Sequence, residues 1–297
     1  MNVYSISTGF FKLDGGAMFG VVPKSIWNKI NPADSNNMCT WAMRCLLIED
    51  GKKLILIDNG MGNKQNEKFF SHYFPFGEDT LDKSLRSKGF SRDDITDVFL
   101  THLHFDHCGG SINWNSTRNG YEPAFKNAVY WSNENHWKWA LEPNHRERAS
   151  FLKENFLPIQ ENGQLRFCNF PEAPVPRYPS EIVQGVKDFN MLWDRFGVGF
   201  VNGHTEKMMI PHIFYKGKTI IYAADLIPSA GHLPIPFVMG YDLRPLETLE
   251  EKKYLLGNAV KENAILFFEH DPLIECCNLQ NTDKGIRMKE SFKLEDL

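Results

Sequence analysis

Residues 101–107 read Thr-His-Leu-His-Phe-Asp-His, which places four metal-ligating side chains, His102, His104, Asp106 and His107, within six residues. Imidazole nitrogens and carboxylate oxygens are donors that divalent metals take, and chance clustering is a poor account of four together. In an extended segment alternate side chains share a face, so His102 and His104 point to one side. A turn after them brings Asp106 and His107 around a neighbouring point. Two adjacent metal sites are then feasible. Gly109 and Gly110 follow at once, and their lack of a Cβ lets the backbone turn sharply and approach the next element closely.

These residues need a strand to deliver them, and the apolar run 95–100 (ITDVFL) supplies it, so that the motif sits on a strand-to-helix loop. Upstream, residues 2–8 and 41–49 read as strands, and Lys53 to Asp58 is a short apolar strand ending at the turn Asn59-Gly60. From Thr80 to Lys88, Leu81 and Leu85 lie four apart on a helix stopped by Gly89. Residues 113–200 break the rhythm with Trp114, Trp131, Trp137 and Trp139, a helix expected around 132–156, and a proline cluster at 171–179. This stretch reads as a helical, aromatic insertion or lid in a single domain over 1–297. Beyond it, residues 208–225 form a hairpin turning at Lys216-Gly217, a helix spans roughly 246–262, and AILFFEH ends the series as a buried strand. Strands followed by helices recur in each half.

Composition narrows the partners. Thirty-three basic against thirty-seven acidic residues give a net charge of -4, with no long basic run, so neither nucleic acid nor an anionic membrane is an expected partner. The chain shows no run of about eighteen apolar residues and no basic-then-apolar leader, which argues against spanning or export. Six cysteines at 39, 45, 108, 168, 276 and 277 include no CxxC pair, a poor layout for a disulfide framework. A cytoplasmic protein acting on a small diffusible molecule is expected.

With the histidine motif in view, the sequence resembles the metallo-β-lactamase-fold hydrolases, whose hallmark is HxHxDH followed by a distant histidine, a strand-end aspartate and a last histidine. Here His204 lies in Asn-Gly-His-Thr, Asp225 closes TIIYAAD and His270 closes AILFFEH. The resemblance covers essentially the whole chain. It implies an α/β protein, an αβ/βα four-layer sandwich of two mixed β-sheets flanked by helices, with metals at one sheet edge. It assigns His102, His104 and His204 to one metal, Asp106, His107 and His270 to a second, and Asp225 as the bridge. Two divalent ions are implied, zinc first, with manganese, iron or cobalt as alternatives. The reaction implied is attack of a metal-bridging hydroxide on a polarised carbonyl. Asp106 is the catalytic carboxylate, orienting that hydroxide or passing its proton to the leaving group.

The segment 14–27 (DGGAMFGVVPKSIW) resembles the N-terminal segment of lactonase-like, quorum-quenching members, which lies near the active-site entrance. This implies a small lactone or ester, an acyl-homoserine lactone among them. In that branch a tyrosine stands three residues after the bridging aspartate, where this chain has Pro228, and the usual TPGHT reads VNGHT. Tyr222, Tyr241 or His232 are the candidate replacement donors. Phosphotriesters or thioesters at the same site, and a catalytically idle metal-binding protein, are the alternative readings. Related enzymes are often dimers, and the aromatic insertion offers an apolar interface for a homodimer.

The other histidines, His72, His136, His145, His212 and His232, fit no ligand slot and read as ordinary surface or core residues. Asp58 admits two readings, a turn residue before Asn59-Gly60 or the partner that orients a motif histidine. Cys108 reads as a small buried residue, and the tryptophans as a satellite core or as pocket lining.

Overall fold

The computed structural model describes residues 1–170 and 189–297. The proline cluster at 171–179 lies outside the described residues. Helices are mostly short: α1 (Gly15–Phe19), α2 (Lys24–Trp27), α3 (Glu67–Tyr73), α4 (Leu81–Ser87), α5 (Phe105–Cys108), α6 (Glu134–Leu141), α7 (Leu157–Glu161) and the longer α8 (Pro245–Lys261). The chain forms two compact units, one of Met1–Phe11 with Ala42–Asn169 and one of Lys12–Trp41 with Phe170–Leu297.

In the first sheet the order among the described residues is β1 (Asn2–Asp14), β2 (Met38–Asp50), β3 (Lys53–Ile57), β4 (Asp97–Phe99), β7 (Val129–Ser132) and β8 (Leu165–Phe167), while β5 (Ile112–Trp114) pairs separately with β6 (Tyr121–Pro123). β2 and β3 are antiparallel, whereas β3, β4, β7 and β8 run parallel. The parallel strands are the continuous apolar runs: four of five residues in β3 and all of β4 are buried, as strands covered on both faces require. Leu47, Leu56, Val98, Leu100, Trp137, Phe156 and Ile159 share the core beneath them. α4 ends as expected at Gly89, whose φ of 87° lets Gly89 N–H and Phe90 N–H close back on the Arg86 and Leu85 carbonyls.

In the second sheet β9 (Asn190–Trp193), β10 (Phe196–Val201), β11 (Met208–Tyr215), β12 (Lys218–Tyr222), β13 (Ile265–Phe267), β14 (Cys276–Thr282) and β15 (Gly285–Phe292) lie side by side in chain order. Neighbours are antiparallel except β12 and β13. Those two are parallel because α8 carries the chain back between them.

Within the stretch expected as an insertion, the described residues 129–132 and 165–167, and 190–193 and 196–201, are sheet strands. β7 and β8 extend the first sheet and β9 and β10 the second. The helix expected over 132–156 is confined to α6, because Pro143 has no amide N–H to continue it.

Candidate metal centre

In the first unit, β3 ends on Asp58, a buried residue with φ of 54°. Asparagine and aspartate tolerate this left-handed conformation better than other side chains. Asp58 Oδ1 accepts from Thr101 N–H (2.8 Å), and Oδ2 accepts from the Thr101 hydroxyl (2.6 Å) and from His107 Nδ1 (3.1 Å). The turn reading and the orienting reading of Asp58 therefore coincide. Because the carboxylate only accepts, Nδ1 of His107 carries the proton and Nε2 keeps the lone pair.

The same logic passes to His102. The single Thr101 hydroxyl proton goes to Asp58, so Thr101 Oγ1 accepts from His102 Nδ1 at 3.1 Å and leaves a lone pair on His102 Nε2. That atom faces His104 Nδ1 at 3.1 Å. Asp106, on α5, lies with Oδ2 3.9 Å from His107 Nε2. All four motif residues are buried.

Gly109 and Gly110 are needed for close approach. Gly109 has ordinary helical angles, but a Cβ there would meet the Met61 carbonyl oxygen at 2.1 Å, and one on Gly110 would meet the Asn59 oxygen at 2.2 Å. The close approach expected of them is what seats the motif against residues 59–61, whereas Gly109 turns the chain with ordinary helical angles.

In the second unit, His204 follows β10, and Asp225 follows β12 directly after Ala224, whose φ is 42°. An alanine in the left-handed region is strained by about 1–2 kcal/mol, a local cost found where a side chain must be aimed. Asp225 turns Oδ2 to His204 Nε2 (3.2 Å) and Oδ1 to His270 Nε2 (3.1 Å), so each oxygen faces a different imidazole. His204 Nδ1 donates a hydrogen bond to Asp242 Oδ1 at 2.9 Å, which leaves Nε2 with the lone pair. His270 N–H donates to the Pro228 carbonyl at 3.1 Å, and Asp271 accepts from Ala230 N–H at 2.9 Å, tying the turn after β13 to the loop after Asp225. Ahead of His204, Glu251 of α8 accepts from Asn202 N–H and Gly203 N–H at 2.6 and 3.0 Å.

This donor chemistry fits a divalent cation. A lone-pair nitrogen facing a carboxylate oxygen at 3.2 Å has no proton to share, and a cation between acceptors is what such a pair accommodates. A profile of known sequences then decides the family: the description Metallo-beta-lactamase superfamily matches residues 44–260. The chain belongs to the metallo-β-lactamase superfamily. It is 31% identical over 257 residues to the N-acyl homoserine lactonase AiiA of Bacillus thuringiensis subsp. kurstaki, covering 83% of this chain and 87% of that protein. Among solved structures, a probable metal-dependent hydrolase from Staphylococcus aureus superposes with a TM-score of 0.84 at 23% identity, over 98% of this chain and 96% of the other. AidC, a dizinc quorum-quenching lactonase with its product bound, gives 0.75 at 21% identity, over 98% and 94%. These likenesses show the metallo-β-lactamase fold, an α/β fold of mixed sheets flanked by helices.

Against this superfamily background, the candidate donors take definite places. His232 is buried, accepts from Ser229 Oγ at Nδ1 (2.8 Å), donates from Nε2 to the Met18 carbonyl (2.9 Å) and stacks on Phe19 with ring centres 4.4 Å apart. Burial pushes its pKa down to about 3, so it is a neutral structural histidine. Tyr222 is buried against Phe267, and Tyr241 is 40% exposed. His136, also buried, accepts Leu103 N–H at 2.9 Å and props the motif from behind. Trp137 is core, Trp131 donates to Asp97 and Trp139 to Glu147, which favours the packing reading for these three. Burial pushes the Cys108 thiol up to about 12, as suits a small core residue.

Asp242 and Glu147 escaped sequence reasoning. Neither adjoins a ligand in the chain, and lone acidic residues in loops carry no spacing signal.

Proposed function

We propose that this chain is a dinuclear metal-dependent hydrolase that opens a small lactone or ester, with N-acyl homoserine lactones as the first substrate class. The observation that carries this reading is Asp225, whose two carboxylate oxygens face the imidazoles of His204 and His270 at 3.2 and 3.1 Å. The similarity to an N-acyl homoserine lactonase supports the substrate class.

On this reading His102, His104 and His204 would hold one divalent ion, Asp106, His107 and His270 would hold a second, and Asp225 would serve both; zinc is the first choice. When bound, such ions supply a water-derived nucleophile at neutral pH and polarise the carbonyl to be attacked. The residues do the rest. Asp58 and Asp242 fix the tautomers of His107 and His204, so that Nε2 is available on each without a protonation step. Thr101 does the same for His102. Asp106 keeps one oxygen for the proton that passes to the leaving alcohol.

Pro228, in place of the lactonase tyrosine, favours a second reading in which phosphotriesters or thioesters are hydrolysed at the same residues. The six cysteines are buried thiols outside any disulfide, which supports a reducing compartment such as the cytoplasm. No helix among the described residues is long and apolar enough to cross a membrane.

The test is elemental analysis of the purified protein alongside a screen of lactones, aryl esters, thioesters and phosphotriesters. About two metals per chain with lactone turnover is the expected result. Two metals with turnover of another class replaces the substrate. Fewer than one metal, not restored by added zinc or manganese, leaves the catalytically idle reading.

A further inference from the structure

His104 presents a tautomer problem that its neighbour His102 does not. Its Nδ1 faces His102 Nε2 at 3.1 Å, close enough for a hydrogen bond between the two rings. The Thr101 relay leaves His102 Nε2 as an acceptor. If His104 carried its proton on Nδ1, it would donate to that acceptor, and both nitrogens would be consumed by each other. Only a proton on Nε2 keeps the two lone pairs available.

A carboxylate lies on the far side of His104. Glu147 is 3% exposed and places Oε1 3.5 Å from His104 Nε2. Its other oxygen is held at 2.7 Å by Trp139 Nε1 and at 2.7 Å by Asn144 Nδ2. Asn144 Oδ1 in turn accepts from Arg146 N–H at 2.8 Å, which shapes the turn that presents the carboxylate. The segment is pinned to the motif as well: Phe105 N–H donates to the Ser150 carbonyl at 3.0 Å, and Phe151 packs on the His104 ring with centres 4.8 Å apart. A buried carboxylate is an acceptor only, so of the two His104 tautomers the one that Oε1, 3.5 Å away and just outside hydrogen-bond contact, stabilises is the one with its proton on Nε2.

We propose that Glu147 is a positioning residue for His104: its carboxylate favours the proton on Nε2 and so keeps the lone pair of Nδ1 for a metal ion. This rests on the reading of His104 as a ligand given above. Histidine ligands that donate their other N–H to a carboxylate are fixed in orientation as well as tautomer, and losing that partner typically weakens metal binding about 10–100-fold.

The experiment measures Zn2+ affinity by competition with a chromophoric chelator for the wild type, Glu147→Ala, Glu147→Gln, Trp139→Phe and His104→Ala, with the melting temperature of each metal-free protein recorded in parallel. Glu147→Ala is expected to weaken Zn2+ binding about 10–100-fold. Glu147→Gln is expected to recover most of that loss, because the amide oxygen still accepts from Nε2. Trp139→Phe perturbs the same polar cluster without touching His104. It should lower the metal-free melting temperature about as much as Glu147→Ala while leaving affinity closer to wild type.

Unchanged affinity in Glu147→Ala, beside a clear loss in His104→Ala, overturns the role of Glu147 and leaves His104 a ligand. Unchanged affinity in His104→Ala removes the ligand reading and this inference with it. If Glu147→Ala does not fold, long-range proton–nitrogen correlation spectra of the metal-free wild type decide: a proton on His104 Nε2 supports the role, and one on Nδ1 overturns it.

Discussion

Asp242 holds His204 by its Nδ1 at 2.9 Å, from 38 residues further along the chain. This contact leaves Nε2, the nitrogen turned to Asp225, with its lone pair. Removing the carboxylate should therefore act on metal affinity before it acts on fold. In Asp242→Ala the Zn2+ dissociation constant is expected to rise about 10–100-fold, while Asp242→Asn, whose side-chain oxygen still accepts from Nδ1, stays closer to wild type. Equal affinity in the alanine variant and the wild type would show that His204 keeps its tautomer without help.

Asp225 carries a stronger expectation. With one oxygen turned to each of two histidines, it is the residue whose loss removes a ligand from both proposed metals. Asp225→Ala should retain the far-ultraviolet circular dichroism of the wild type, bind less metal and lose hydrolysis. Full turnover by a well-folded Asp225→Ala protein would sink the bridged pair.

Gly109 tests the seating of the motif independently of any metal. A Cβ at this position meets the Met61 carbonyl oxygen at 2.1 Å, and backbone cannot swing aside as a flexible side chain can. Gly109→Ala is expected to destabilise the protein by about 1–3 kcal/mol through overpacking. Urea unfolding of the metal-free variant reads this directly. An alanine variant as stable as wild type would mean that residues 59–61 can move away at no cost.

Lys252 gives the fold a pH signature. Its Nζ donates to the carbonyls of Pro234, Ile235 and Phe237, and burial lowers its pKa from 10.5 to about 7. Below pH 7 the ammonium is present in folded and unfolded chains alike, and the folded chain bears the full burial penalty. Between about 7 and 10.5 the unfolded chain keeps a proton that the folded chain has released, so stability rises with pH across that window. Glu251, raised from 4.5 to about 7 by burial, acts on the acid side, where its contribution falls as pH climbs through that range. The stability difference between wild type and Lys252→Met should thus shift in favour of the wild type from pH 7 to pH 10. A difference that does not change with pH would place the Lys252 pKa near its ordinary value.

The histidine and aspartate cluster at 102–107, the strand that delivers it, the limits of α4 and the hairpin at Lys216-Gly217 were legible in the chain alone. Each is written in short-range terms, an apolar run, a four-residue spacing or a turn pair, which neighbouring residues enforce with no help from distant chain. The superfamily was legible for the same reason, because its ligands come in a fixed order at strand ends. Only packing sets which nitrogen of His107, His102 and His204 carries the proton. That depends on Asp58 for His107, Thr101 for His102 and Asp242 for His204, and two of these three contacts cross more than thirty residues. It also decided that residues 129–132 and 165–167 are sheet strands, since a short apolar segment acquires its partner only when the core closes around it. Spacing along the chain fixes what a residue is able to donate, but packing fixes what it donates to.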